Sequence, residues 1–387
     1  VPGTRCRVPG SMSTAASSAV RAALRDDVRI GGTIVSTPAR TTRAIRIEKH
    51  GPPEVFVERE IPLPDPGPGE VVIRVEAAGL NFADLLMRAG LYDTVPPRPY
   101  SPGFEIGGIV TAVGAGAMRD VGEAWREGDP CVALLRHGGY AQDVVLPTRN
   151  VFDRPAGLSA VEAAAAPVVF LTAHVCLFES ARVREGETAL VLGAGGGVGT
   201  AAVQLAVAHG LRVIGTAGTE RKRAFVTEEL GAEACYDSRG DWEPDVLAVV
   251  GERGIDVALD SVGGAATASC QRLLAPLGRI VFYGFSEAMP GNSRNWLRAA
   301  RAWLKTPRFH PLSLIQPGIG VSGVHLLHLH DQEELLREHL GQILRSVMNG
   351  ELRAVVDRTF PLTRDGAVEA HQYIHERRNL GKVVLKA

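Results

Sequence analysis

The hydrophobic and polar positions follow two different patterns along this chain. In the first part, Ile45 to Glu48, Val55 to Glu58 and Val71 to Val75 form short alternating segments, and the proline- and glycine-rich stretch 61–69 separates the last two. Such alternation between turn-rich stretches predicts small, barrel-like β structure. From about Pro167 to Gly320, short apolar runs alternate with helix-forming stretches. This order predicts the strands and helices of a parallel sheet.

One strand, turn and helix in the second region carry the clearest chemical signal. The apolar run Thr188 to Leu192 leads into the turn Gly-Ala-Gly-Gly-Gly-Val-Gly at 193–199, and alanine-rich, helix-forming sequence follows. Glycines let the backbone approach a pyrophosphate closely, and the N–H groups and positive dipole end of the next helix hold its negative charge. The pattern therefore predicts a dinucleotide site, and a glycine-rich loop without a ligand is the alternative.

The strand after this helix indicates which dinucleotide is bound. In NAD-binding sites an acidic residue at the end of that strand binds the ribose hydroxyls, but here the strand Leu211 to Gly215 continues as Thr-Ala-Gly-Thr at 216–219. Small residues leave room for a 2′-phosphate, and Arg221, Lys222 and Arg223 supply cations nearby. We therefore expect NADPH rather than NADH. The alternative is that the basic triplet is only the solvated first turn of a helix.

Composition and charge exclude several other classes of protein. The chain has 387 residues, 45% of them hydrophobic, and a formal net charge of −1, so it can bury a large core in two or three domains. A neutral charge balance without a basic stripe gives no electrostatic footprint for nucleic acid. No uninterrupted apolar run reaches about 18 residues, so we expect a soluble protein without a membrane span. The five cysteines form no CxxC pair and are odd in number, which predicts a reducing, cytoplasmic setting.

Residues 1–41 are predicted to form a flexible arm, because this stretch is rich in Ser, Ala and Arg. Asp26 and Asp27 make a transit-like peptide the less favoured alternative. We assign no chemistry to this arm.

Several short motifs in the remaining chain resemble those of a known superfamily. Gly-Leu-Asn-Phe-Ala-Asp at 79–84 is followed by Gly-Leu-Tyr at 90–92. With these motifs the sequence resembles the medium-chain dehydrogenase/reductase superfamily, and within it the zinc-free quinone oxidoreductase branch. Supporting motifs lie at 138–141, 170–173, 260–264, 283–284 and 379–385. The segments 293–303 and 323–326 further resemble the vesicle amine transport protein-like subgroup.

The resemblance implies an α/β fold with two domains. A GroES-like β-barrel catalytic domain would take residues 42–166 and 321–387, and a Rossmann domain with a doubly wound parallel sheet would take residues 167–320. The segments 353–360 and 382–385 look like a β-hairpin that returns to the first domain. The family pattern also implies a homodimer, for which the apolar segment 319–327 is a candidate edge.

Two positions separate this chain from the zinc-bearing members of the superfamily. Those proteins have a cysteine at the position of Asn81 and a histidine at that of Phe104, and a tetrahedral catalytic zinc needs three protein ligands of this kind. We therefore predict no metal. Without a Lewis acid to lower the pKa of an alcohol, direct alcohol oxidation is disfavoured. An electrophilic quinone or α,β-unsaturated carbonyl can accept hydride from NADPH without such help.

The resemblance also assigns the catalytic positions. Asn81 and Tyr92 would line the pocket beside the nicotinamide, with Asn81 as a hydrogen-bonding group and Tyr92 as a hydrogen-bond or proton donor to the developing oxyanion. A turn-stabilising asparagine and a half-buried aromatic residue are the alternatives. Asp84 would brace the same element rather than act as an acid or base.

The residues that would touch the cofactor come from the same resemblance. Lys222 and Tyr236 would meet the adenosine phosphate, and Gly218 would make space for it. Gly284 and Phe285 would present backbone groups to the nicotinamide amide. Thr172 would contact the cofactor from its helix, with a core threonine as the alternative. The full predicted set is Thr172, Ala194, Gly196, Gly197, Val198, Gly199, Gly218, Lys222, Tyr236, Gly284 and Phe285.

The leading hypothesis is an NADPH-dependent reductase of quinones or α,β-unsaturated carbonyls that acts on a small-molecule substrate. An enoyl-thioester reductase of a biosynthetic pathway and a non-catalytic, NADPH-binding interaction protein are the alternatives. His325, His328 and His330 lie close in sequence but match no common zinc spacing. We expect these histidines on a strand and at the start of a helix near Asp331.

Overall fold

The computed structural model of the protein describes residues 40–92, 94–288 and 296–387. The predicted arm therefore lies outside the described residues up to position 39, as does the part of the subgroup motif at 293–295. The described chain forms a parallel sheet, a second and mostly antiparallel sheet, and a two-stranded hairpin. This arrangement confirms the predicted α/β class.

The strands alternate with helices in the middle of the chain and follow one another at its start. The strands are β1 (Thr41–Ile47), β2 (Phe56–Pro62), β3 (Glu70–Leu80), β4 (Glu105–Val113), β5 (Pro130–Leu134), β6 (Asp143–Pro147), β7 (Val151–Asp153), β8 (Thr188–Leu192), β9 (Arg212–Ala217), β10 (Ala234–Asp237), β11 (Ile255–Asp260), β12 (Leu274–Phe282), β13 (Gly320–Gly323), β14 (Val356–Pro361) and β15 (Lys382–Lys386). The helices are α1 (Phe82–Ala89), α2 (Ala160–Ala163), α3 (Pro167–His174), α4 (Gly197–Ala208), α5 (Glu220–Ala224), α6 (Glu243–Val250), α7 (Ala265–Leu273), α8 (Trp296–Lys305), α9 (Pro311–Ile315), α10 (Glu333–Met348) and α11 (Arg364–His375).

The parallel sheet has six strands in the order β10-β9-β8-β11-β12-β13. The central strand β8 is buried throughout, because both faces of the sheet are covered there. In β8, Ala189 and Val191 pack into the core on one face, whereas Leu190 and Leu192 pack into the core on the other. The glycine-rich turn follows β8 between its neighbours β9 and β11. It therefore lies at the carboxyl end of a central strand, where parallel sheets bind ligands.

The second sheet, the barrel-like sheet, has the order β14-β15-β3-β4-β5-β7, with β6 paired to β3. Its core includes Ile73, Val75 and Ile106, which are all fully buried. The hairpin predicted for 353–360 and 382–385 is wrong, because β14 and β15 pair in parallel. Parallel neighbours need a crossover connection, and α11 supplies it. The last strand joins the first domain as expected, because β15 pairs with β3.

The strand that begins at residue 320 belongs to the parallel sheet. β13 pairs in parallel with β12, whereas the predicted boundary assigns residues from 321 onward to the catalytic domain. Helix α10 packs Ile343 and Val347 into the core that also contains Ala189. β13 is the last strand of its sheet, so its outer side is a sheet edge.

The stretch Ala160–Ser180 lies between the two sheets. Ala164 and Ala165 pack with Ala77 of the barrel-like sheet, and Phe170 packs into the core of the parallel sheet. By length and composition this stretch could cross a membrane, but 72% of its apolar window is buried inside the protein. Burial of this extent is typical of a core helix, which the interrupted apolar pattern of this stretch did not predict.

Candidate active site

Helix α1 carries the two principal candidate residues at its ends. Asn81 directly precedes the helix, and its backbone N–H donates to Asp84 Oδ2 at 2.8 Å, which fixes the first turn. Gly90 ends the helix with a φ of 68°, in the left-handed region that glycine adopts without strain. Tyr92 follows two residues after this turn, outside the helix.

A buried hydrogen-bond network fixes the side chain of Asn81. The Lys382 ammonium donates to Asn81 Oδ1 at 2.8 Å, to the carbonyl oxygen of Leu80 at 2.8 Å and to Glu105 Oε1 at 2.6 Å. Asn81 Nδ2 donates to the same Glu105 oxygen at 2.9 Å. Glu105 Oε2 accepts from the backbone N–H of Val168 in α3 at 2.8 Å. Because Lys382 is 3% exposed and Glu105 is 0% exposed, this ion pair holds the Asn81 amide in one orientation.

Asp84 braces the same network. Its Oδ1 accepts from the backbone N–H of Gly103 at 2.8 Å, in addition to the bond from Asn81 to Oδ2. Burial raises the pKa of Asp84 to about 7, against the two backbone hydrogen bonds and the Lys382 charge, which favour the carboxylate. Both carboxylate oxygens are thus occupied by backbone donors. This geometry fits a bracing residue rather than an acid that reaches a substrate.

Tyr92 lies in an aromatic group that joins the two sheets. Its ring is half-buried and meets the buried ring of Phe104 edge-on, with centroids 6.0 Å apart. On another side it faces the imidazole of His325, with centroids 5.2 Å apart and planes 31° apart. The sequence predicted His325 only as a strand or helix-start residue, and the structure brings it to a candidate catalytic side chain.

Two glycines of the glycine-rich turn, Gly195 and Gly199, have no room for a side chain. The turn contains the predicted residues Ala194, Gly196, Gly197, Val198 and Gly199. A Cβ on Gly199 would collide with the carbonyl oxygen of Gly193, and one on Gly195 would lie 2.9 Å from Cβ of Lys222. Gly196 caps α4 without a side-chain hydrogen bond, so the first N–H groups of the helix are open to an anion. These features fit a pyrophosphate.

Two of the three basic residues near the turn, Arg221 and Lys222, contact residues near the C-terminal end of the chain. Lys222 Nζ donates to the carbonyl oxygen of Arg377 at 2.7 Å. Arg221 pairs with Asp357 at 3.0 Å, and the Asp357 side chain is 3% exposed. Burial lowers the pKa of Lys222, with the charges of Arg221 and Arg377 adding to the effect and Asp357 opposing it. The cations predicted for a 2′-phosphate therefore lie together, each with a protein partner.

Gly218 and Tyr236 lie beside these cations at the ends of adjacent strands. Tyr236 pairs with Thr216 in the register of β10 and β9, and Gly218 directly follows β9. Arg223, the third basic residue, pairs with Asp237 at 3.4 Å. The structure thus brings Gly218, Lys222 and Tyr236 to one end of the sheet.

The remaining predicted cofactor residues lie on two other elements. The hydroxyl of Thr172 donates to the carbonyl oxygen of Val168 at 2.6 Å, within α3. Phe285 is 37% exposed, and its ring covers Gly263 so closely that a Cβ there would collide with it. Gly284 is exposed and lies over the backbone of Ser261. Thr172 is therefore one helical turn from Val168, whose backbone N–H donates to Glu105. Gly284 and Phe285 lie in the segment after β12.

A catalytic zinc does not fit the residues at Asn81. The amide oxygen and nitrogen of Asn81 are both engaged, by Lys382 and Glu105, and the phenyl ring of Phe104 has no lone pair to donate. The Lys382 ammonium also places positive charge beside this position. Within 40–92, 94–288 and 296–387, no group of three or more His, Cys, Asp or Glu side chains could hold a metal ion.

Sequence reasoning did not single out Glu105, Lys382, Asp357 or the contact of His325. Glu105 begins an apolar strand, and Lys382 begins another, Lys-Val-Val-Leu-Lys. A lone charge among residues that are otherwise buried needs a partner of opposite charge, and this rule was the available signal. Neither Asp357 nor His325 carries such a signal in its local sequence.

Two protein families match separate parts of this chain. Residues 67–156 match the alcohol dehydrogenase GroES-like domain family, and residues 197–337 match the zinc-binding dehydrogenase family. The first match covers much of the barrel-like sheet, and the second begins in the glycine-rich turn and continues past β13. These matches confirm the predicted GroES-like and Rossmann-type combination.

Individual relatives match over most of their length. The synaptic vesicle membrane protein VAT-1 homolog of Rattus norvegicus is 35% identical over 323 residues, which covers 83% of this chain and 78% of the relative. The solved quinone oxidoreductase of Thermus thermophilus, also determined in complex with NADPH, is 34% identical with a TM-score of 0.71 and covers 89% of this chain and 100% of its own. The CurK enoyl reductase structure is 26% identical with a TM-score of 0.75, at 89% and 99% coverage.

Proposed function

This chain belongs to the medium-chain dehydrogenase/reductase superfamily, and on that premise we propose that it is an NADPH-dependent oxidoreductase. Its acceptor is a quinone or an α,β-unsaturated carbonyl, and its reaction uses no metal ion. The similarity to quinone oxidoreductases that bind NADPH supports this choice of cofactor and acceptor.

One observation carries the proposal. Two adjacent residues, Gly381 and Lys382, connect the glycine-rich turn to Asn81. The N–H of Gly381 donates to the carbonyl oxygen of Gly195 at 2.9 Å, and the Lys382 ammonium donates to Asn81 and Glu105. The turn that fits a pyrophosphate and the side chains that fit a reducible substrate thus share one rigid connection. Dinucleotide binding and the chemistry belong to the same cleft.

The side chains of the chain have distinct tasks in this reaction. NADPH, when bound, supplies the hydride. The first N–H groups of α4 hold the pyrophosphate, and Lys222 binds the 2′-phosphate. Asn81 has one amide N–H beyond the bond to Glu105, and it donates this hydrogen toward the cleft. Tyr92 donates its phenolic proton to the acceptor oxygen, which gains negative charge as the hydride arrives.

The reaction proceeds without zinc because a positively charged ammonium and an engaged amide stand where metal ligands would be needed. A quinone or enone is already electrophilic, so it requires only orientation, a hydrogen-bond donor and exclusion of water. An unactivated alcohol would need a Lewis acid to lower its pKa. This difference favours carbonyl acceptors over alcohol substrates.

Two properties outside the cleft complete the proposal. We propose a homodimer that forms through β13, because this strand lies at the edge of the six-stranded sheet. A cytoplasmic location without nucleic-acid partners also stays a prediction. The unpaired thiols in the described part of the chain, Cys131, Cys176, Cys235 and Cys270, support a reducing compartment.

Two alternative functions have a specific observation in their favour. Similarity to the CurK enoyl reductase favours an enoyl-thioester acceptor, which has the same conjugated carbonyl. Similarity to the VAT-1 homolog, whose name gives a synaptic vesicle membrane protein and no reaction, is the observation behind a non-catalytic, NADPH-binding interaction protein. All three functions use the same dinucleotide turn and differ in what enters the cleft.

The test is NADPH consumption by the purified chain with a benzoquinone, a simple enone and a crotonyl thioester, each repeated with NADH. The proposal predicts turnover with the quinone or the enone and a clear preference for NADPH. Turnover with the thioester alone would favour the enoyl reductase. Tight NADPH binding without consumption of any acceptor would contradict the reductase and favour the binding protein.

A further inference from the structure

His325 lies where the chain passes between the two sheets. It is the second residue after β13, and its neighbours Val324 and Leu326 pack against the core of the parallel sheet. Leu327, one residue further, packs against the core of the barrel-like sheet. The chain therefore passes from one core to the other between Leu326 and Leu327, next to His325, and the imidazole of His325 faces Tyr92.

Three ring side chains form a series from the surface to the candidate catalytic position. His328 is exposed, and its ring meets that of His325 edge-on, with centroids 4.3 Å apart. The backbone N–H of His328 donates to the carbonyl oxygen of His325 at 3.0 Å, so a single tight turn holds both residues together. His325 and Tyr92 are half-buried, with ring centroids 5.2 Å apart. Each ring carries an exchangeable proton.

The other ionisable groups near Asn81 are poorly placed to supply a proton. Lys382 already donates to three acceptors, the Leu80 carbonyl, Asn81 and Glu105. Asp84 is fully buried, and backbone N–H groups occupy both of its oxygens. Neither group exchanges readily with solvent. A tyrosine that gives away its proton in every turnover needs a source that does.

We propose that His325 is a positioning and proton-supplying residue that acts through Tyr92, with His328 as its connection to solvent. This inference rests on the proposed function. The acceptor gains a hydride at its electrophilic carbon, and the π electrons move to its oxygen. The Tyr92 O–H bond breaks as its proton goes to that oxygen, and an N–H of protonated His325 returns a proton to the phenolate, which leaves a neutral imidazole. His325 then takes a proton from His328 or water, so one solvent proton and one NADPH are consumed per acceptor.

The matched variants are His325→Phe, which keeps an aromatic ring against Tyr92 but has no proton to give, and His325→Ala, which leaves space for free imidazole. Turnover of the purified full chain is measured with NADPH and a benzoquinone or an enone, whichever the wild type reduces. We expect both variants to lower kcat roughly tenfold or more, with KM for NADPH unchanged. Millimolar imidazole should restore a large part of kcat in His325→Ala and none in His325→Phe, a result that a structural role would not produce.

A double variant tests whether His325 acts through Tyr92. If it does, His325→Phe lowers kcat in the wild type and lowers it little further in Tyr92→Phe. His209→Phe is the control, because His209 lies at the carboxyl end of α4 and packs on Phe178. Its kcat should equal that of the wild type.

Several results would overturn the inference. Wild-type kcat in His325→Phe, absence of imidazole rescue in His325→Ala, or multiplicative losses in the double variant would each contradict it. If the phenylalanine variant does not fold, His325→Gln replaces it with the same expected loss. If the wild type reduces quinones or enones and the His325 variants have the same kcat, the inference is wrong and the proposed function is unaffected. A wild type that reduces none of the acceptors would overturn both.

Discussion

Replacing Lys382 with methionine should be among the most damaging single changes in the candidate active site. The substitution keeps an apolar stem of similar length but removes the cation that donates to Leu80, Asn81 and Glu105. The Glu105 carboxylate, 0% exposed, would stay buried without its ion-pair partner. Leaving one charge of a buried pair uncompensated costs about 3 to 5 kcal/mol of the free energy of unfolding. The Asn81 amide would also lose the donor that fixes its oxygen.

The assay is equilibrium unfolding in urea of the wild type, Lys382→Met, Glu105→Gln and the double variant. The double variant removes both charges together, so it should be more stable than the sum of the single losses predicts, with a coupling free energy of about 1 to 3 kcal/mol. Lys386→Met is the matched control, because Lys386 lies on the same strand and is exposed. It should unfold like the wild type. Additive losses in the double variant, or a Lys382→Met chain as stable as the control, would show that the buried ion pair does not stabilise the site.

Three further outcomes follow from particular side chains. Burial raises the pKa of Asp84 from 3.8 to about 7, so the folded chain keeps a proton that the unfolded chain loses. The stability of the wild type relative to Asp84→Asn, measured by urea unfolding, should therefore fall as pH rises from about 4 to about 7. A difference in stability that stays constant over this range would contradict this. Gly199→Ala should weaken NADPH binding at least about tenfold, measured by cofactor fluorescence, because the new Cβ would lie 2.7 Å from Cα of Ala194. Gly240→Ala is the control and should bind NADPH normally, because its Cβ would lie 3.6 Å from its nearest neighbour, the carbonyl oxygen of Asp237. Asp357→Asn should tighten NADPH binding and leave NADH binding unchanged, because it frees Arg221 for the 2′-phosphate. Equal changes in the two dissociation constants would instead indicate that the ion pair is purely structural.

Local patterns in the sequence were sufficient for much of the fold. The buried run of β8, the glycine turn and the helix after it follow one another without a gap, so periodicity and turn chemistry identify them together. Pairing between distant strands carries no such signal. The hairpin prediction for β14 and β15 is wrong because two short strands carry no local sign of their relative direction, and only the intervening α11 reveals a parallel crossover. The edge strand β13 is short, and its pairing with β12 is likewise a long-range feature.

The candidate site divides in the same way. Asn81 and Asp84 lie three residues apart, so the first turn of α1 was open to prediction from sequence. Glu105 and Lys382 are separated by 277 residues, and their ion pair depends on β15 returning beside β3. The contact of Tyr92 with His325 likewise requires that the two sheets meet. Contacts between side chains far apart in sequence are fixed by strand pairing and packing, which a local sequence pattern does not contain.

The most direct test of the central claim is the fate of deuterium placed on the hydride-donating carbon of the NADPH nicotinamide. The purified chain is incubated with this cofactor and an enone, and the product is analysed by mass spectrometry and NMR. Hydride transfer from NADPH should place one deuterium at the β-carbon of the saturated ketone and a solvent proton at the α-carbon. A saturated product without deuterium at the β-carbon, or oxidised NADPH with the enone unchanged, would contradict it.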